Sequence, residues 1–307
     1  MKKVLIATEK PFAKVAVNGI KKIFEAVKYE VVMLEKYSSK SDLLKAVADV
    51  DALIVRSDKV DSEVIAAAQK LKIVVRAGAG YDNIDLYESH AKNIVVENTP
   101  GQNSNAVAEL AFGMMIYLAR NNFVPGTGTE LRGKSLGIHA YGNVGRYVGM
   151  IAKGFNMNIY AYDQFVPRET IEHDGIKYVD NVEDLYKNCQ YISLHIPANE
   201  KTVKSINWNL ISLMPNNATL VNTARKEIID EDDLLRAFHE RSDFKYCTDI
   251  APNCIDKLHE SFLNRYYCTP KKMGAETVEA NINSGLAAAN QIVSFFEKGD
   301  TKFQVNL

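Results

Sequence analysis

The chain has 307 residues, 47% of them hydrophobic, with 37 basic and 38 acidic side chains and a net charge of -1. That length is enough for two domains with sizeable cores, and the charge balance excludes the broadly basic surface of a general nucleic-acid binder. The longest clean apolar run, LAFGMMIYLA (110–119), is far below the ~18 residues that span a bilayer.

The start, MKKVLIATEK, carries only the short apolar run VLIA, too little for a signal peptide, so a cytoplasmic protein with no membrane partner is expected. The cysteines Cys189, Cys247, Cys254 and Cys268 show no metal-ligand spacing; buried free thiols and no bound metal are predicted.

In chain order, KVLIAT, EVVML, ALIVRS, KIVVRAG and NIVVEN are short apolar runs that read as strands, with helical segments such as KAVADV and SEVIAAAQK between them. Unalternated Val/Ile runs belong to strands buried on both faces, and strand–helix alternation means a parallel sheet. A longer helix is predicted over about 103–120. NNFVPGTGTELRGK then breaks the pattern with Pro and Gly. A second alternating series begins at SLGIHA and runs through MNIYAYD, YISLHIP, ATLVNTA and FKYCTDIAP. A last long helix is expected at roughly 276–298, followed by a closing strand in FQVNL. The pattern predicts two α/β domains, each with its own sheet.

SLGIHAYGNVGRYVG is the strongest local signal. A strand ending at His139 leads into Ala140, Gly142 and Gly145, the spacing of a G-x-G-x-x-G turn with alanine in first place, and then a helix. Gly142 lets the backbone approach a pyrophosphate and Gly145 lets helix and strand pack closely, so residues 142–145 (Gly142, Asn143, Val144, Gly145) form a candidate dinucleotide loop on a helix N-terminus. Asp163, 21 residues after Gly142 and at the end of the next strand, is placed to accept from ribose hydroxyls and to repel a 2′-phosphate, which favours NAD over NADP. Ala140 is the departure: if that position needs positive φ, alanine costs on the order of 1 kcal/mol.

These motifs, taken with IVRSDKV (54–60), VVRAGAGYDNIDL (74–86), VENTPGQNSNAVAEL (96–110), HIP (195–197) and NTARKEIIDEDDLLRA (222–237), resemble the D-isomer-specific 2-hydroxyacid dehydrogenases, above all the branch acting on 3-phosphoglycerate. The resemblance covers nearly the whole chain. It implies a Rossmann-type NAD domain (101–282) inserted into a flavodoxin-like substrate domain (1–100 and 283–307), both doubly wound parallel-sheet α/β folds. It also implies a homodimer acting on a small phosphorylated 2-hydroxy acid.

Carried over residue by residue, Arg225 matches the arginine that holds the substrate carboxylate and reacting oxygen, a role suited to a planar guanidinium. Its bland alternative is an ion pair with Asp230 or Glu231. Asp249 matches the aspartate that holds the nicotinamide carboxamide. Ile196, Pro197, Thr223, Ala224, Gly274 and Ala275 line the cofactor. Ala77, Gly78 and Ala79 offer backbone N–H groups to the substrate carboxylate. Arg56 with Ser57, and Arg76, correspond to positions that face a substrate phosphate, for which arginine is suited.

Four departures stand out. The family's H-x-G-A context reads Lys272-Met273-Gly274-Ala275 here; the position of the glutamate partner is Cys254; Lys226 and Glu227 replace two glycines; and the segment between LAR (118–120) and ELRGK (130–134), which helps form the dimer in relatives, is short. A lysine base needs no carboxylate to orient it, so the first two losses are mutually consistent. Lys272 is then the acid/base, with Lys271 the alternative if Thr269-Pro270 sets the register. A free lysine titrates near ~10.4, so burial or a nearby cation must lower it for work at neutral pH. The chain stops after the closing strand, so no regulatory domain is expected. Oxidation of 3-phospho-D-glycerate to 3-phosphohydroxypyruvate is the leading expectation. The alternatives are a glyoxylate/hydroxypyruvate reductase and a non-catalytic NAD-sensing protein.

Overall fold

The computed structural model describes residues 1–306; Leu307, with which the expected closing strand ends, lies outside the described residues. The chain divides into two units, Met1–Asn103 together with the segment from Ala275 onward, and Ser104–Gly274.

In the first unit the Val/Ile runs form β1 (Lys3–Thr8), β2 (Glu30–Glu35), β3 (Ala52–Val55), β4 (Ile73–Arg76) and β5 (Val95–Asn98). All pair in parallel, in the order β2-β1-β3-β4-β5. This is the flavodoxin-like order. Both faces are covered, which is why ALIV of β3 is buried at every position. On one face Ile20 and Phe24 of the helix Lys14–Ala26, and Ala288 and Ile292 of the helix Val278–Lys298, pack on Val4, Ile6 and Ile54. On the other, Leu43, Val64 and Ile65 pack on Leu5, Leu53 and Val74. The last helix is capped by Thr277, whose side chain accepts from the Ala280 N–H at 3.1 Å, and stops at Gly299 with φ 69°.

The second unit has β6 (Ser135–His139), β7 (Asn158–Tyr162), β8 (Lys177–Tyr178), β9 (Tyr191–Leu194), β10 (Thr219–Asn222), β11 (Lys245–Thr248) and β12 (Tyr266–Cys268). They form one sheet in the order β12-β11-β10-β9-β6-β7-β8, again all parallel. Strand order reverses between β6 and β9, so the crevice beyond their carboxyl ends is the ligand position that this topology provides. The helix Ser104–Ala119 buries Ala108, Ala111, Phe112 and Met115 in the same core as Val148 and Ala152 of the helix Asn143–Gly154.

Two expectations need correction. FQVNL is not a strand among the described residues. Gln304 makes a single antiparallel bridge to Glu97, and the Val305 N–H donates to the Val96 carbonyl. The Asn306 side chain then takes over the work of a backbone, accepting from the Val96 N–H at 2.9 Å and donating to the Ile94 carbonyl at 2.8 Å. The four cysteines are free thiols, but only Cys189 and Cys247 are buried; Cys254 and Cys268 are half-buried.

Candidate active site

The glycine loop opens at Ala140, which has φ 81°. The turn therefore does require a left-handed residue, and the alanine is strained there. Gly142 forms the N-cap of the helix Asn143–Gly154. A Cβ added to it would meet no atom within 4 Å, so the backbone there is bare to an approaching group. Gly145 is the opposite case: a Cβ would lie 2.4 Å from the Ala140 carbonyl oxygen and 3.0 Å from Ile138 Cγ2. One glycine thus leaves the anion-binding end of the helix open and the other lets helix and strand touch, a pair of features that fits a dinucleotide pyrophosphate.

Asp163 is buried directly after β7. Its Oδ2 accepts from the Tyr141 N–H at 2.7 Å, and its Oδ1 accepts from the Phe165 and Val166 N–H groups at 2.7 and 3.0 Å. The carboxylate therefore organises both loops, while Oδ2 keeps one acceptor direction for a further donor.

Two histidines share this end of the sheet. The His195 N–H donates to the His139 carbonyl, His195 Nε2 lies 2.9 Å from Ser193 Oγ, and His139 Nδ1 lies 3.3 Å from the Tyr186 hydroxyl. Burial pushes His139 down to about 4 and His195 down to about 3. Both rings are neutral at physiological pH and poor proton acceptors.

After β9 come Ile196 and Pro197; after β10 come Thr223, Ala224 and Arg225. Buried Asn222 shapes the second of these loops. Its Oδ1 accepts from the Ala224 N–H and its Nδ2 donates to the Arg225 carbonyl, both at 2.9 Å. Arg225 Nη1 donates to the Ala224 carbonyl. Asp230 and Glu231 also hold the neighbouring backbone. Asp230 caps the helix Glu231–Glu240 and lies 3.5 Å from Lys204 Nζ. Glu231 accepts from the Asn253 and Cys254 N–H groups at 2.7 and 2.9 Å. Burial first, then Glu231, push the Cys254 thiol up to about 12, so it remains a thiol. Lys226 donates to Asn253 Oδ1 at 2.7 Å.

Asp249, after β11, is 1% exposed. Oδ1 accepts from the Thr269 hydroxyl at 2.8 Å and the Met273 N–H at 2.9 Å; Oδ2 accepts from the Gly274 N–H at 2.8 Å. One buried carboxylate therefore clamps both ends of TPKKMG, with Lys271 and Lys272 between the anchors. Thr269, which supports this arrangement, carries no local sequence signal because it acts across a strand-to-strand gap, whereas Asn222 acts within its own loop. Lys272 is solvent-exposed.

In the first unit Arg56, Ser57, Arg76, Ala77 and Gly78 line one pocket of about 130 Å³, together with Ala275 and Lys10. The strand ends explain the convergence: β3 stops before Arg56 and β4 stops at Arg76, so both arginines leave the same edge of neighbouring strands. Gly78 has φ 151°, and a Cβ on it would overlap Arg76 Nη1. The predicted row of backbone donors is only partly present. The Ala77 N–H donates to the Val55 carbonyl and the Gly78 N–H to the Arg76 carbonyl. Of the three, only the Ala79 N–H has no protein acceptor among the described residues.

Residues 113–268 match the D-isomer specific 2-hydroxyacid dehydrogenase, NAD binding domain. This chain belongs to the D-isomer-specific 2-hydroxyacid dehydrogenases. The family's NAD-binding domain lies within its second unit. D-3-phosphoglycerate dehydrogenase of Methanocaldococcus jannaschii is 38% identical over 83% of this chain and 51% of the relative, so the chain spans about half that protein's length. Hydroxypyruvate reductase of Thermotoga maritima is 35% identical over 86% of this chain and 91% of the relative. The crystal structure of NAD+-bound 3-phosphoglycerate dehydrogenase from Entamoeba histolytica is 49% identical, covers 100% of this chain and 99% of its own, and superposes with a TM-score of 0.89. The NAD-dependent oxidoreductase class therefore holds for this chain, and among its described residues no helix is long and apolar enough to cross a membrane.

Proposed function

We infer that the chain oxidises 3-phospho-D-glycerate to 3-phosphohydroxypyruvate. The observation that carries this reading is the first-unit pocket, in which Arg56 and Arg76 meet at the ends of adjacent strands with a single carboxylate, Glu276, in the lining. Such a pocket suits a dianionic phosphate better than an uncharged hydroxymethyl group. Arg225 holds the substrate carboxylate. Lys272 takes the hydroxyl proton during oxidation and returns it to the keto oxygen in reduction. NAD, when bound, supplies the hydride acceptor, and Gly142, Asn143, Val144 and Gly145 cradle its pyrophosphate while Asp163 receives its ribose. Ile196, Pro197, Thr223, Ala224, Gly274 and Ala275 line it.

The neutral state of His139 and His195 supports a lysine in the proton-transfer role, because neither imidazole is an effective base. Cys254, held as a thiol, leaves no carboxylate at the partner position, and a lysine base requires none. Assembly as a homodimer belongs to the same reading and is checked by light scattering of the eluted protein.

A reductase for hydroxypyruvate or glyoxylate is the second reading, favoured by the Thermotoga maritima relative, 91% of whose length the chain matches. Steady-state assays with NAD and 3-phosphoglycerate, D-glycerate or lactate, and with NADH and glyoxylate or hydroxypyruvate, separate the two. A preference for 3-phosphoglycerate over D-glycerate of at least about tenfold in kcat/KM is expected. Equal use of the two would favour the reductase, and no turnover of any substrate would favour a binding protein.

A further inference from the structure

We propose that Lys10 is a third cationic ligand of the substrate phosphate and a determinant of specificity for phosphorylated over unphosphorylated 2-hydroxy acids. This rests on the reading of the Arg56 pocket given above. Lys10 lies in the loop after β1 and lines the same pocket as Arg56 and Arg76, 46 and 66 residues away in sequence.

The case begins with the donors of Arg56. A guanidinium has five N–H groups. Nη1 spends both of its hydrogens on the Lys10 and Pro11 carbonyls, at 2.9 and 3.3 Å. Nη2 donates to Asn281 Oδ1 on the last helix, and the Phe12 ring lies 5.4 Å below the guanidinium carbon. Arg56 is thereby locked in place with two N–H groups left, Nε–H and one on Nη2. A phosphate monoester presents three terminal oxygens, each accepting more than one hydrogen bond, so the two donors left on Arg56 meet only part of its acceptor capacity and leave room for a third cation beside Arg76. An ammonium with three donors is the complement.

The loop that carries Lys10 is fixed rather than loose. Asp58, 2% exposed, accepts from the Glu9 N–H at 2.7 Å and the Tyr37 hydroxyl at 2.8 Å through Oδ1, and from the Arg56 N–H at 3.2 Å through Oδ2. One buried carboxylate therefore staples the residue before Lys10 to the backbone of Arg56, and the Lys10 carbonyl closes the ring by accepting from the Arg56 side chain. Among the described residues no carboxylate pairs with the Lys10 ammonium. Lys10 is exposed, so it enters this arrangement as a solvated charge with no internal partner to give up.

The test is the ratio of kcat/KM for 3-phosphoglycerate to kcat/KM for D-glycerate. Lys10→Met is expected to lower it by about tenfold, the loss of one charge-assisted contact, and mainly through the KM for 3-phosphoglycerate, because the phosphate is remote from the reacting carbon. Inorganic phosphate should inhibit the wild type competitively, with a Ki that rises by a similar factor in Lys10→Met. Lys10→Arg should keep most of the ratio. Lys14→Met, an exposed lysine in the same segment that does not line the pocket, should leave it as it was. A purely structural role for Lys10 would depress both substrates alike and leave the ratio and the phosphate Ki unmoved, which overturns the proposal. So does a wild type that favours 3-phosphoglycerate while Lys10→Met retains that preference, and in that case the function stands. A wild type with no preference for the phosphorylated substrate overturns both.

Discussion

Asp249→Asn is a nearly isosteric change that removes one acceptor and adds a donor. In the native chain the carboxylate accepts from Thr269, Met273 and Gly274. An asparagine can turn its oxygen toward Thr269 and Met273, but its NH₂ then faces the Gly274 N–H. A hydrogen bond to a charged group contributes about 1.5–3 kcal/mol, and an unsatisfied buried donor costs about 1–3 kcal/mol. These overlap in part, so a net loss of about 3 kcal/mol is expected. For a unit the size of Ser104–Gly274, that lowers the melting temperature by roughly 6–12 °C. The assay is calorimetry of the isolated variant, with Thr269→Val as a partner measurement expected to cost about 1 kcal/mol. Because the clamp sets the path of the segment bearing Lys272, kcat should fall further than NAD affinity. Melting of Asp249→Asn within about 1 °C of wild type would refute the reasoning.

Lys272→Met should cost at least on the order of 10²-fold in kcat with NAD binding largely retained by fluorescence titration, while Lys271→Met turns over normally; oxidation should run fastest at alkaline pH, and a Lys272→Met enzyme with normal kcat removes the assignment. Glu97, 1% exposed, is pushed up to about 7 by burial, with Asp300 adding to the rise and the Phe303 N–H opposing it. Its folded form prefers the proton, so stability should fall as pH rises from about 4.5 to about 7 and level off above that, by about 1–3 kcal/mol in all. Urea titrations of wild type and Glu97→Gln across that window should show this part of the slope only in the wild type. Ala140→Gly relieves about 1–2 kcal/mol of left-handed strain against about 0.4–1 kcal/mol of added unfolded-state entropy and a lost methyl contact. A gain of about 0.5 kcal/mol, read as a slightly higher melting temperature, is expected, and a lower one counts against strain at this position. NAD should be preferred over NADP by at least about tenfold because of Asp163, and equal use of the two cofactors would contradict its placement.

What could be read in advance follows from how local each signal is. In the first unit β1, β3 and β4 are apolar runs buried on both faces, while β2 at the sheet's edge is only half-buried; β3 is followed by Arg56 and β4 ends at Arg76, both visible in the sequence itself. The glycine loop is legible because its geometry is set within six residues, and Ala140 at φ 81° confirms what the spacing demands. β8 and β12 are only two and three residues long and contain no aliphatic run, so no periodicity exposes them. The closing strand misleads because Asn306 uses its side chain in place of a backbone. Lys10 and Asn281 stay invisible for a different reason. They are 271 positions apart in sequence and are joined through the guanidinium of Arg56.

The first unit is assembled from two stretches of chain separated by residues 104–274. During synthesis its five strands leave the ribosome early, but the helix Val278–Lys298 that covers Val4, Ile6 and Ile54 comes last. At about 5–20 residues per second the intervening stretch, about 170 residues, takes roughly 10–35 s to appear. For that interval the sheet face is covered by the helix Lys14–Ala26 alone and the part that Ala288 and Ile292 cover has no partner, while the second unit, whose segments are contiguous, is free to complete its own core. The nascent chain therefore depends on a holding factor or on rapid elongation just where its apolar surface is greatest, and slow translation through the second unit is the condition under which aggregation should begin.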